Sequence, residues 1–218
     1  MKGRIIDITT GISESTPVYD GDPKPVIEKV SSLEEDGYIV SRISIGTHTG
    51  THVDAPCHIF KGGKTIDAIL PESLMGKAIL LDLSKGSGEI KASDLDAAWK
   101  KFSDEKDVDV LLIKALDSSF SPDAALSSGR ALAADAGEWI LDSGFTVVGV
   151  DLLSVDAEES LPNHHLFLEK EIIIVEYLHL SEVVEDVYYF ICLPLKIMNI
   201  DGAPARAILI ESPFSECL

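Results

Sequence analysis

Between His48 and His58 the chain places three of its six histidines and one aspartate within eleven residues, His48-Thr49-Gly50-Thr51-His52-Val53-Asp54-Ala55-Pro56-Cys57-His58. His48 and His52 are spaced like neighbours on a helix face. Gly50, the β-branched Thr51 and Val53, and Pro56 all oppose a helix here. An extended chain instead turns alternate side chains to one side, and His48, His52, Asp54 and His58 all hold even positions. One extended or gently bulged segment would aim these four groups at a single cavity, with Thr49, Thr51, Val53 and Cys57 on the opposite face. Gly50 would permit close backbone approach. Imidazole nitrogen and carboxylate oxygen are the ligands that Zn²⁺, Mn²⁺ and Fe²⁺ prefer. The pattern H-x3-H-x-D-x3-H therefore predicts a metal centre, left open on one side for a second contributor from far along the chain.

The remaining histidines, His164, His165 and His179, and the acids near them are the candidates for that contribution. Glu176 ends the apolar run Ile172-Ile173-Ile174-Val175, where a carboxylate is costly unless paired or metal-bound. Strands are expected at Val40–Ile45, by near period-two patterning, and at Ala78–Leu83 and Val110–Ile113, as continuous apolar runs of the buried kind. Further strands are expected at Thr146–Val150, Ile172–Val175, Val187–Leu193 and Ala205–Ile210. One helix is expected to start at an Ser93 N-cap and run through Trp99. A second runs from about Ala131 to Leu141 and stops near Gly144, and Asn163 caps a short turn through Leu168. The prediction is a mixed, strand-rich α/β domain spanning residues 1–218.

With Lys+Arg 18 against Asp+Glu 37, the chain carries a net charge of −19, which repels phosphate backbones and anionic membranes. Nucleic acid and membrane are excluded as expected partners. Cys57, Cys192 and Cys217 are too few and too scattered for a disulfide framework and suit a reducing compartment. Ile5-Ile6 ends at Asp7, so the start lacks the apolar core of a signal peptide, and no run reaches the length of a membrane span. A cytoplasmic protein is expected.

The His48-to-His58 run resembles the signature of the metal-dependent cyclase family, which includes bacterial kynurenine formamidases and isatin hydrolases. Thr16 through Pro23 resembles its N-terminal loop, and Gly149 through Asp156 its central strand and turn. His164 through Leu178 resembles its second ligand segment, and Leu193–Lys196 with Asp201–Ala207 its C-terminal hairpin. The resemblance implies a three-layer β/β/α swivelling domain. It implies that His48, His52 and Asp54 hold one divalent ion, and that Asp54 bridges to a second held with His164 and Glu176. The twelve-residue spacing to Glu176 selects His164 over His165. His58 would be the general acid/base. Tyr19 would stand in the substrate loop where kynurenine formamidases have Trp, and Tyr177 stands where Asn is usual. Two metals per subunit are implied, Zn²⁺ with Mn²⁺ as the alternative, in a homodimer or homotetramer.

The function expected is hydrolysis of the C–N bond of a small aryl formamide or cyclic amide, with kynurenine formamidase the best single name. The alternatives are an isatin hydrolase-like enzyme for another cyclic amide or lactone, and a non-catalytic metal or small-ligand binder on the same scaffold. His58 separates enzyme from binder, since binding needs no group poised to move protons. Cys57 is read as a buried apolar residue, and His165 and His179 as structural or surface groups. Asp151 and Asp156 are read as turn and hydrogen-bond residues, and Trp99 and Trp139 as helix core.

Overall fold

The computed structural model describes residues 3–117 and 130–211; Cys217 and the start at Met1 lie outside them. Among the described residues ten strands run in chain order: β1 (Ile5–Asp7), β2 (Val26–Ser31), β3 (Val40–Ser44), β4 (His52–Asp54), β5 (Met75–Asp82), β6 (Val110–Lys114), β7 (Val147–Val150), β8 (Ile173–Glu176), β9 (Val187–Pro194) and β10 (Gly202–Glu211). The helices are α1 (Leu33–Asp36), α2 (Ala92–Trp99), α3 (Ala134–Asp142) and α4 (Pro162–Glu169).

The long apolar runs become four parallel neighbours, β5-β6-β7-β8. Parallel strands need crossovers, and α2 and α4 sit in the first and last of these connections, with α3 in the middle one. Both faces of these strands are covered, so their central positions are apolar. Ala78, Leu80, Val110, Leu112, Val147 and Val175 point into one core. Ile79, Leu81, Leu111, Ile113, Val148 and Ile174 point into a second core beneath the helices. Trp99 packs edge to face against Trp139 and Phe145 within that second layer.

The sheet closes through β10. Its first residues pair with β4, which pairs antiparallel with β8. Its remaining length pairs with β9, which pairs with β5. The ring β10-β4-β8-β7-β6-β5-β9 is a closed seven-stranded barrel with β1 on its outer edge. A flattened barrel plus one helical layer is the expected β/β/α arrangement.

Three local expectations are corrected. Helix α2 begins at Ala92, because Asp94 reaches back to accept the Lys91 amide (2.9 Å). Helix α4 begins at Pro162, which suits the first helical position; Asn163 lies inside it, and its N-terminal amides are accepted by Asp156. The segment from His48 to His58 is not one extended run: only His52–Asp54 is strand. The β2–β3 hairpin stands apart as its own two-stranded sheet, with Val26, Ile27, Val30, Val40 and Ile43 all exposed.

Candidate metal centre

The β4–β8 register places His52 opposite Glu176 and Asp54 opposite Ile174. Val53 and Val175 enter the barrel core, so strand alternation turns His52, Asp54 and Glu176 to the other, helix-facing side. His164 on α4 covers them. His48 arrives from a turn before β4, where Gly50 takes φ +67, a left-handed conformation open to glycine. His58 closes the short 3-10 turn Pro56–His58. The even-position groups do converge, but by a turn, a strand and a second turn rather than by one pleat. Cys57 faces away and donates to the Ile200 carbonyl (3.4 Å).

Two clusters of potential ligand atoms share Asp54: His48, His52 and Asp54, and Asp54, His164 and Glu176. His52 Nε2 lies 3.4 Å from Asp54 Oδ1 and 3.4 Å from Glu176 Oε2. His164 Nε2 lies 3.4 Å from Asp54 Oδ2 and 3.4 Å from Glu176 Oε1. Ligand atoms held tetrahedrally at Zn–N and Zn–O bond lengths are separated by about 3.4 Å. His52 Nε2 and Asp54 Oδ2 are buried without an aligned hydrogen-bond partner. Unsatisfied groups of this kind are rare in native interiors. The donor set, its spacing and these orphaned atoms together fit a divalent metal ion.

Outer contacts aim the ligands. His52 Nδ1 donates to the Gly50 carbonyl (2.8 Å), which leaves Nε2 as the lone pair facing Asp54. His164 Nδ1 contacts Asp156 Oδ2 (2.8 Å), the same oxygen that accepts the His164 amide. The Val155 amide donates to Glu176 Oε1 (2.8 Å). Such partners fix ring tautomer and orientation. Asp156 is therefore not a ligand, but it does more than close a turn. Tyr177, just after Glu176, takes φ +56. A left-handed backbone suits Asn better than most residues, which accounts for the Asn usual there in the resembling family.

The electrostatics favour positive charge. Burial pushes His48 down, but the hydrogen bonds and charges of Asp54 and Asp201 raise it to about 9. Burial likewise opposes protonation of His164, yet Glu176, Asp156 and Asp54 raise it to about 12. His52 is raised against its burial by Glu176 and Asp54. Asp54 lies well below the usual carboxylate range: burial raises it, but His164, His48 and His52 prevail. The same carboxylate field that holds protons on these rings attracts a cation that displaces them. His58 behaves oppositely, lowered first by burial and then by His48 and His164.

A cavity of about 160 Å³ opens over this cluster, lined by Tyr19, His48, His58, Leu153 and His164 among others. His165 and His179 are exposed and take no part. Asp201 was not singled out by the sequence, yet its carboxylate meets His48 Nε2 (2.8 Å) and comes within 3.6 Å of His58 Nδ1. One signal of its neighbourhood was present: Gly202 follows it, and a Cβ there would lie 2.9 Å from His48 Cε1.

The Cyclase family model matches residues 6–157. The chain belongs to the Cyclase family. Curated relatives include the kynurenine formamidase of Erythrobacter litoralis, 33% identical over 96% of this chain and 95% of that one. The kynurenine formamidase of Salinibacter ruber is 32% identical over 96% of this chain and 98% of its own. Among solved structures, a "predicted metal-dependent hydrolase" from Bacillus stearothermophilus superposes with a TM-score of 0.79 and 32% identity, covering 96% of this chain and 98% of that one.

Proposed function

We propose that this cyclase is a metal-dependent amide hydrolase of the kynurenine formamidase kind, cleaving the C–N bond of a small aryl formamide. The observation that carries the reading is the pair of ligand clusters joined at Asp54, with His52 Nε2 and Asp54 Oδ2 buried and without an aligned hydrogen-bond partner. His48, His52 and Asp54 would hold one ion, and Asp54, His164 and Glu176 a second; the N/O donor set suits Zn²⁺, with Mn²⁺ as the alternative. Bound there, such ions polarise a carbonyl oxygen and make water a stronger acid. The chain's own groups then handle the proton and the substrate. His58 is held below its ordinary value of 6.5 and is neutral near pH 7, so it can accept a proton from water. It can then deliver that proton to the leaving nitrogen. Tyr19, half-exposed at the cavity wall, offers a ring face for an aryl group.

The chain works, on this reading, as a single-domain subunit of a homodimer or homotetramer in the cytoplasm, with Cys57 and Cys192 as free thiols. No described helix is long and apolar enough to cross a membrane. The exposed β2–β3 hairpin supports the oligomer: an isolated two-stranded hairpin is marginal in water, and the exposed cross-strand pair Ile27 and Ile43 offers apolar surface to bury.

The test is turnover by purified, Zn²⁺- or Mn²⁺-loaded protein on N-formylkynurenine and on isatin. Hydrolysis of the formamide with His58→Ala reduced at least about 100-fold is the expected result. Preference for isatin would move the reading to cyclic amides. Tight metal binding with neither substrate hydrolysed would overturn it.

A further inference from the structure

His48 stands between two carboxylates. Its Nδ1 lies 2.7 Å from Asp54 Oδ1 and its Nε2 lies 2.8 Å from Asp201 Oδ2. A neutral imidazole carries one N–H, so it can donate to only one of them. The other contact needs a proton or a cation. Asp54 belongs to the two buried ligand clusters that it joins, while Asp201 forms a separate, more open group with His48 and His58 and is partly exposed to solvent. The division of labour follows: Nε2–H donates to Asp201, and the Nδ1 lone pair is presented on the Asp54 side, where a cation belongs.

The same Asp201 oxygen accepts from Thr47 Oγ1 (3.1 Å) and lies 3.6 Å from His58 Nδ1. The rings of His48 and His58 are 4.2 Å apart between centroids. One carboxylate oxygen therefore hydrogen-bonds the His48 ring and lies within ion-pair range of the His58 ring. The Ala55 amide anchors the Asp201 backbone carbonyl (2.9 Å), between β4 and the turn that carries His58.

Resting on the hydrolase reading above, we infer that Asp201 is a positioning residue, whose Oδ2 fixes the tautomer of His48 as a metal ligand and holds His58 for proton transfer. Its carboxylate meets Nε2 of His48, the nitrogen turned away from Asp54, and not Nδ1 on the Asp54 side. A carboxylate behind a metal-bound histidine raises ligand basicity and locks ring orientation, and one behind a proton-moving histidine sets which nitrogen is free.

Asp201→Asn and Asp201→Ala test this in the full chain. Zn²⁺ affinity is measured by competition with a chromophoric chelator, with no substrate present. Thermal unfolding of the metal-free variants reports on fold. Both variants are expected to unfold close to the parent while binding Zn²⁺ about 10–100-fold more weakly, with Asn, which can still accept one N–H, above Ala. At saturating Zn²⁺, kcat on the formamide should fall while KM holds. Affinity and kcat indistinguishable from the parent would overturn the inference. So would an affinity loss matched by loss of the metal-free fold, which is a structural role. A parent that binds Zn²⁺ but hydrolyses nothing would sink the hydrolase reading alone, because the affinity comparison still decides whether Asp201 positions His48.

Discussion

Asp54 is the residue on which both ligand clusters depend, and it is fully buried. Asp54→Asn keeps its shape but removes the charge facing His48, His52 and His164. Metal content after dialysis should fall by about 100-fold or more in affinity terms, read by elemental analysis. A buried carboxyl elsewhere gives a pH prediction free of the metal. Asp151 accepts the Ala115 amide (2.8 Å) and the Leu116 amide (3.1 Å). Burial nevertheless raises it from 3.8 to about 7. Between those values the folded chain holds a proton that the unfolded chain has released. Its contribution to stability is whole below 3.8 and is lost as pH rises through about 7. Asp151→Asn should flatten that part of the stability–pH curve and cost about 1–2 kcal/mol for the acceptor it lacks, measured by urea unfolding at several pH values. The histidines and Asp54 were legible because they crowd one short run. Asp156 was visible only as a turn residue, since nothing in a turn announces which ring it will meet.

The strands of the parallel half were readable because burial on both faces demands apolar residues throughout. The turn carrying His58 was not, because its shape depends on a chain crossing. Gly63 packs against it so closely that a Cβ would lie 2.6 Å from the Pro56 carbonyl carbon and 2.7 Å from the Cys57 amide nitrogen. Backbone cannot yield as a side-chain tip can. Gly63→Ala should cost about 1–3 kcal/mol and lower kcat by shifting His58, with Zn²⁺ affinity little changed. The β2–β3 hairpin is a second element-level case. Val40–Ile45 patterned as an ordinary half-buried strand, yet every residue of β3 is exposed. Ile27→Lys with Ile43→Lys places charge opposite charge on that hairpin, since the two pair directly. On the proposed oligomer, the double variant should shift the protein toward monomer in light scattering while leaving the barrel folded.

At the scale of the whole molecule, the cluster joins β4, β8, α4 and two turns, so a bound ion ties the barrel to its helical layer. Because ions bind the folded chain, a free concentration about a thousandfold above Kd adds about 4 kcal/mol. Chelation should lower the thermal midpoint by roughly 10 °C, reversibly on adding Zn²⁺. The surplus of acids, 37 against 18 bases, has little part in this: among the described residues Asp54, Glu176 and Asp201 belong to potential ligand groups, while others, such as Asp96, Glu105 and Glu211, sit in surface ion pairs. The sequence by itself determined the ligand chemistry and the apolar strands, because donor type and periodicity are local properties. Tertiary structure decided the rest. The antiparallel register that sets Gly202 opposite Asp54 brings Asp201 to His48 across more than 150 positions of chain. Register is fixed by the summed packing of two cores and the closure of the barrel, and no single stretch of residues carries that information.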